Sequence, residues 1–219
     1  MPQAVLFDWR GTLVVNLTDV EWVERALTAL EREPDRSAVD GIVAAIARAN
    51  GAENRLDAPG VDCDAALHRR TFLEVLADGG LDPELAESLY AVESDPRNNP
   101  FASDVVHTLG ALRRRGIRLA VVSDIHVDLR PAFDAAGLAG LVDVFTLSFE
   151  QGVQKPDPRM FTRTLDALGV APDEALMVGD RSRPDGAAVE SGIPTLLLPP
   201  LRSADDRRLH HVLSLCGIG

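Results

Sequence analysis

Apolar positions along the chain fall into two textures. Short, near-continuous runs at Ala4-Val5-Leu6-Phe7, Arg118 to Val122, Val144 to Leu147, Ala175 to Val178 and Thr195 to Leu198 predict buried strands. Three of them end on polar groups: Asp8, Ser123-Asp124 and Gly179-Asp180. Between the later runs, helical spacing takes over. Ser103 is placed to cap a helix carrying Val105, Leu109 and Leu112, Pro131 opens another, and Asp157-Pro158 starts one with Met160, Phe161, Leu165 and Leu168 on its apolar face. Residues 17–93 read differently, as four helical patterns. The first two follow Val20, Val23, Leu27, Leu30 and then Val39, Ile42, Val43, Ile46. Weaker ones run through Leu73 and Leu76, then Leu81, Leu85 and Leu89. Breaks fall at Pro34, between Gly51 and Gly60, and at Gly79-Gly80. The pattern predicts a three-layer, Rossmann-like α/β core with a parallel sheet, formed by residues 1–16 and 97–219 and interrupted by an all-helical insert at 17–96.

The 219 residues carry a formal charge of −12, so an anionic substrate needs a local cationic pocket. Such an acidic surface argues against nucleic acid and anionic lipid as partners. No apolar run is long enough for a membrane span, the start lacks a basic signal region, and Cys63 and Cys216 form no pairing pattern. A cytoplasmic chain, monomeric or homodimeric, is the expectation. Among 22 basic residues one is lysine, Lys155; where arginine has replaced every other ammonium, a retained one suggests a need for a compact point charge.

In sheets of this kind, ligands bind at the carboxyl ends of the strands. Asp8, Asp180 and Asp185, brought to one edge, would make a hard all-oxygen environment suited to Mg²⁺. Lys155 would offset the excess charge and hold a phosphoryl oxygen, with Ser123 and nearby backbone N–H groups holding another. A carboxylate nucleophile is an established route to a covalent phosphoryl intermediate.

Four stretches, in this order, resemble the motifs of the haloacid dehalogenase superfamily: Asp8-Trp9-Arg10-Gly11-Thr12, Val121-Val122-Ser123, Lys155 before a helix, and Gly179-Asp180 with Asp185 beyond. The resemblance implies a hydrolase, with a phosphatase acting on a small phosphorylated metabolite as the leading expectation. It implies catalytic roles for Asp8 as nucleophile, Arg10, Ser123 and Lys155. It implies substrate contacts from Trp9, Gly11, Thr12, Ser123, Asp124 and Lys155. Mg²⁺ would be held by Asp8, the Arg10 carbonyl, Asp180 and Asp185. The insert resembles a helical cap that closes over the site and selects the substrate.

One position departs from the pattern. Family phosphatases carry a second Asp two residues after the nucleophile, where this chain has Arg10, which cannot shuttle a proton at neutral pH. Arg10 stabilises the phosphoryl group electrostatically, or Asp124 or His126 takes over proton transfer, or the chain is a slow phosphate-binding or regulatory protein. Asp124 could instead be the salt-bridge partner of Arg10, and His126 a solvated loop residue. A 2-haloacid dehalogenase chemistry is a further alternative, and a Schiff-base phosphonate mechanism is excluded by the absence of lysine from 17–96. In the insert, Trp22, Arg48, Arg55 and His68-Arg69-Arg70 are candidates to face substrate, against the plainer reading of the arginines as a solvated face. Arg207, Arg208, His210 and His211 read as a surface helix.

Overall fold

The computed structural model describes all 219 residues. Strand β1 (Ala4–Phe7) is followed by four helices, α1 (Asp19–Ala29), α2 (Arg36–Asn50), α3 (Ala65–Asp78) and α4 (Pro83–Glu93). The chain then alternates through α5 (Val105–Arg114), β2 (Arg118–Ser123), α6 (Arg130–Ala135), β3 (Val144–Leu147), α7 (Ser148–Gln151), α8 (Pro158–Leu168), β4 (Ala175–Gly179), β5 (Thr195–Leu197) and α9 (His210–Leu215). The sheet is parallel throughout, in the order β3-β2-β1-β4-β5.

Successive residues of β1 point to opposite faces, and both faces are buried. Val5 and Phe7 join a cluster with Leu109 and Leu112 of α5, Phe133 of α6 and Val212 of α9. Ala4 and Leu6 join a second cluster with Met160, Phe161, Leu165 and Leu168 of α8. The insert has a core of its own, built from Trp22, Val23, Leu27, Phe72, Leu76 and Leu89 among others. Its four helices start where their sequences supply an oxygen for the free N–H groups of the first turn. Thr18, Asp35, Asp64 and Asp82 accept from the backbone N–H of Glu21, Ala38, Leu67 and Leu85 respectively. Thr18 and Glu21 complete a reciprocal capping box.

The two crossings into the insert are held side by side. Val15 donates its N–H to the carbonyl of Pro100, and Ala102 donates to that of Leu13 (both 2.9 Å). The insert therefore leaves and re-enters the core at one place, directly beyond β1.

Two local expectations are corrected. Ser103 does not cap α5: the preceding residue is Asp104, whose Oδ2 instead accepts from the backbone N–H groups of Arg208 and Leu209. Trp9 is fully buried between Phe101 and Phe133, so its indole does not face a substrate. It continues the alternation of Val5 and Phe7 on the same face.

Candidate active site

The register of the sheet places the ends of three strands level. Phe7 pairs with Val121 on one side and Val178 on the other, so Asp8, Ser123 and Gly179 emerge at one edge. Beyond Asp8 the backbone turns at once: Thr12, Leu13 and Val14 all direct their N–H groups at the carbonyl of Trp9. Gly11 sits at φ +79°, and a Cβ there would stand 2.5 Å from Asp180 Oδ2, so only glycine permits the carboxylate to approach. Gly179 plays the same part for Asp185, whose Cγ would lie 2.3 Å from an added Cβ.

Lys155 reaches into this edge from the segment before α8. Its ammonium donates to Asp8 Oδ1 and Asp185 Oδ1, each at 2.6 Å, with all three side chains buried. Burial alone would discharge the amine, but the carboxylates of Asp8, Asp185 and Asp124 outweigh it and hold the pKa above the ordinary lysine value. Burial pushes Asp8 the other way, up from the usual carboxylate range, against the opposing pull of Lys155. Thr12 Oγ1 donates to the second oxygen of Asp8 at 3.1 Å. Asp185 Oδ2 accepts from the backbone N–H groups of Asp180 and Arg181, which fixes the loop that carries Asp180.

Asp180 is the open member of the group. Its Oδ1 is buried with no hydrogen-bond partner. Burial, and then the charges of Asp8 and Asp185, raise its pKa to about 6. Carboxylate oxygens of Asp8, Asp180 and Asp185 lie within 4.8 Å of one another. A buried acceptor left without a donor, in an all-oxygen cluster whose members repel, is what a hard divalent cation relieves. The residues fit Mg²⁺.

Arg10 turns away from this cluster. Its Nη1 donates to Glu93 Oε1 at 2.6 Å and its Nη2 to the Glu93 carbonyl at 3.3 Å, joining the loop after Asp8 to the last turn of α4. Asp124 is accordingly not its partner. One Asp124 oxygen accepts the Lys155 N–H at 2.7 Å and the other lies 3.5 Å from Arg181. Burial raises the Asp124 pKa to about 6. His126 is not solvated either: it is buried, 3.0 Å from Ser94 Oγ, and stacked on His68 of α3.

Among the insert candidates, Arg55 pairs with Asp78 and Arg69 with Glu87 at the exposed surface, and Arg48 and Arg70 are exposed. Trp22 and His68 do line a cavity of about 290 Å³ between insert and core, shared with Arg10, Asp62 and Glu93. One residue goes beyond the sequence reading and another corrects it. Arg181 lies close enough to Asp8, Asp124 and Asp185 for their charges to raise its pKa. Arg208, read from the sequence as part of a surface helix, instead precedes α9 and turns inward, donating to the carbonyls of Gly11 (3.2 Å), Thr12 (2.9 Å) and Pro199, which braces the loop after Asp8 from behind.

A doubly wound parallel sheet, with carboxylates and one buried ammonium gathered at its carboxyl edge, puts the cluster where open-sheet α/β enzymes bind their ligands. The model of the haloacid dehalogenase-like hydrolases matches residues 2–191, and the chain belongs to that family. It is 32% identical over 208 residues to a phosphoglycolate phosphatase of Rhodospirillum rubrum, covering 90% of this chain and 80% of that protein. It is 39% identical over 137 residues to a phosphoserine phosphatase of Thermus thermophilus, covering 60% of this chain and only 55% of that relative's length. Among solved structures, a HAD phosphatase from Thermococcus onnurineus superposes with a TM-score of 0.65 at 25% identity, over 99% of this chain and 98% of the other. A 2-haloacid dehalogenase of Pseudomonas syringae pv. tomato shares the fold, with a TM-score of 0.66 at 21% identity over 99% of both chains.

Proposed function

We propose that the protein is a Mg²⁺-dependent phosphatase of a small phosphorylated metabolite, working through an aspartyl-phosphate on Asp8. The observation that carries this reading is the buried Lys155 ammonium shared between Asp8 and Asp185, with the unpartnered Asp180 oxygen beside them. The R. rubrum and T. thermophilus relatives, both phosphatases by name, support it.

In this reading, Lys155 and Thr12 fix the two oxygens of Asp8 and leave a lone pair for in-line attack on phosphorus. The phosphorus–oxygen ester bond breaks as the Asp8–phosphorus bond forms, and the leaving oxygen collects a proton. Water then attacks phosphorus, releasing phosphate and regenerating the carboxylate. Lys155 and Ser123 hold the phosphoryl oxygens. Asp8, the Arg10 carbonyl, Asp180 and Asp185 would hold Mg²⁺, which when bound would neutralise charge on the phosphoryl group. Asp124, a half-neutral acid near pH 6, is better placed to carry the proton than His126, which faces Ser94. The helical insert serves as the cap, and the cavity beneath it holds the leaving group.

The test is turnover of alkyl, aryl and acyl phosphates with Mg²⁺, with rapid acid quench to trap phosphoryl enzyme and Asp8→Asn as control. Turnover and a trapped phosphoryl group, both lost in Asp8→Asn, are expected. Folded protein that binds a phosphate mimic but neither turns over nor traps phosphate would be a phosphate-binding protein, and the proposal would fail.

A further inference from the structure

The cavity of about 290 Å³ between insert and core is unevenly charged. Its wall carries four carboxylates, Asp19, Asp57, Asp62 and Glu93, against the single guanidinium of Arg10. That guanidinium is already neutralised, since Arg10 Nη1 donates to Glu93 Oε1 at 2.6 Å. Asp19 and Asp57 are exposed, and Asp62 is half-buried. Asp62 Oδ1 stands 3.7 Å from His68 Nε2 and 3.7 Å from His126 Nδ1, too far to accept a hydrogen bond from either ring. His68 belongs to the same wall, is only 2% exposed, and has no hydrogen-bond partner at Nδ1. We infer that this cavity takes a cationic leaving group: the substrates are phosphate monoesters of small amino alcohols, with the ammonium held at Asp62. The inference rests on the phosphatase reading above and adds to it the charge of the group that departs.

Three observations support this assignment. Asp62 is a charged acceptor without a donor. Burial pushes its pKa up, but His126, His68 and Arg10 outweigh burial and hold it below the ordinary carboxylate range. An ammonium supplies both the missing charge and N–H donors. Next, the wall keeps little for an anion. The Trp22 ring N–H is taken by the carbonyl of Leu89 at 2.8 Å, and Asn99 Nδ2 donates to the carbonyl of Val15 at 3.0 Å. Burial, then the neighbouring His126, lowers the His68 pKa to about 3, so its ring is neutral and adds no positive charge. A leaving group with its own carboxylate would meet like charges. Finally, the loop that carries Asp62 is fastened to the core. Ser148 Oγ, fully buried, donates to the Asp62 carbonyl at 2.7 Å and accepts the N–H of Ile125 at 2.8 Å.

Arg10 follows Asp8 by two residues and lines the cavity, so an ester with its phosphorus at Asp8 extends its alcohol into this space. Trp22 and Phe72 add aromatic surface, on which methylenes pack and toward which a cation is attracted. As Asp8 bonds to phosphorus, the ester bond breaks and the alcohol oxygen takes a proton. The amino alcohol departs with its ammonium still charged, and water alone is needed to release phosphate.

Calorimetric titration of the whole protein in Mg²⁺ with three non-hydrolysable phosphonates of similar length tests the assignment: aminopropylphosphonate, butylphosphonate and phosphonopropionate. The first should bind at least about tenfold more tightly than the second, the effect of one charge-assisted hydrogen bond, and the third most weakly. The kcat/KM values of the matching esters, phosphoethanolamine, propyl phosphate and phosphoglycolate, should follow the same order. Asp62→Asn, with circular dichroism confirming the fold, should remove most of the preference for ammonium over alkyl. Equal affinities in the native chain, or tightest binding of phosphonopropionate, would overturn the proposal without recourse to any variant. So would a preference that persists in Asp62→Asn. Turnover of all three esters without the preference would overturn it and leave the phosphatase reading standing. Preference for aminopropylphosphonate in a chain that turns over none of the esters would uphold the cationic cavity and overturn the phosphatase reading instead.

Discussion

Arg10 and Glu93 form a 2.6 Å ion pair that ties the loop after Asp8 to the far end of the helical insert. Where phosphatases of the family use an acid, this chain has an arginine that pairs with Glu93 of α4. Both side chains are partly buried, so the pair should be worth about 1 kcal/mol in a double-mutant cycle of Arg10→Ala and Glu93→Ala, read by urea unfolding. Arg10→Asp would set two carboxylates face to face. Combined with Glu93→Gln, it should raise turnover of alkyl phosphates at least about tenfold by restoring an acid–base group. An unchanged or lower rate would assign proton transfer elsewhere.

Asp124 is where that transfer should then be found. With its pKa raised to about 6, the neutral acid that protonates a leaving group is depleted as pH rises through that value. Single-turnover formation of the phosphoryl enzyme from an alkyl ester should fall across this range. Asp124→Asn should be slower and flat with pH. A wild-type limb that persists in the variant would exclude Asp124.

Lys155→Met removes the one positive charge between Asp8 and Asp185 and leaves both carboxylates buried. Breaking a buried pair this way costs about 3–5 kcal/mol, measurable by urea unfolding at neutral pH. Phosphoryl-enzyme formation should be lost as well, which a purely structural lysine would not require.

Gly11→Ala is expected to fail on two counts. The residue sits at φ +79°, worth about 1–2 kcal/mol of strain for any side chain, and the new Cβ would collide with Asp180. Stability should drop and Mg²⁺ affinity, followed by calorimetry, should drop with it. Retained Mg²⁺ affinity would mean that Asp180 is not a ligand.

Mg²⁺ affinity should itself depend on pH. Asp180 must lose its proton to hold a cation, and its pKa is raised to about 6. Binding should be nearly flat at pH 7 and above, then weaken about tenfold per unit below pH 6. The same shift works against the fold: the native state binds the proton more tightly than the unfolded chain, so the metal-free protein loses this stabilisation as pH rises from about 4 through 6.

Local pattern carried much of this structure. The strands could be seen because both faces of the sheet are covered, which leaves near-continuous apolar runs. The four insert helices could be seen because their apolar positions recur at helical spacing and the breaks at Pro34, Gly51 to Gly60 and Gly79-Gly80 are local chemistry. Lys155 announced itself by being the single lysine. Trp9 was legible in principle, since it extends the alternation of Val5 and Phe7, but its place beside Asp8 suggested a substrate contact. The remaining contacts leave no local trace. Arg10 with Glu93, Arg208 with the carbonyls of Gly11 and Thr12, and His126 with His68 each join distant segments. A charged or imidazole side chain on a helix or loop looks solvated until the surface opposite it is known.

The burial of Lys155 has a practical corollary. Lys155 is the one lysine among the 219 residues and is only 1% exposed, so a reagent that acylates lysine finds no open side-chain target in the native fold. Any lysine adduct would count the moments when the interior ammonium is laid open to solvent.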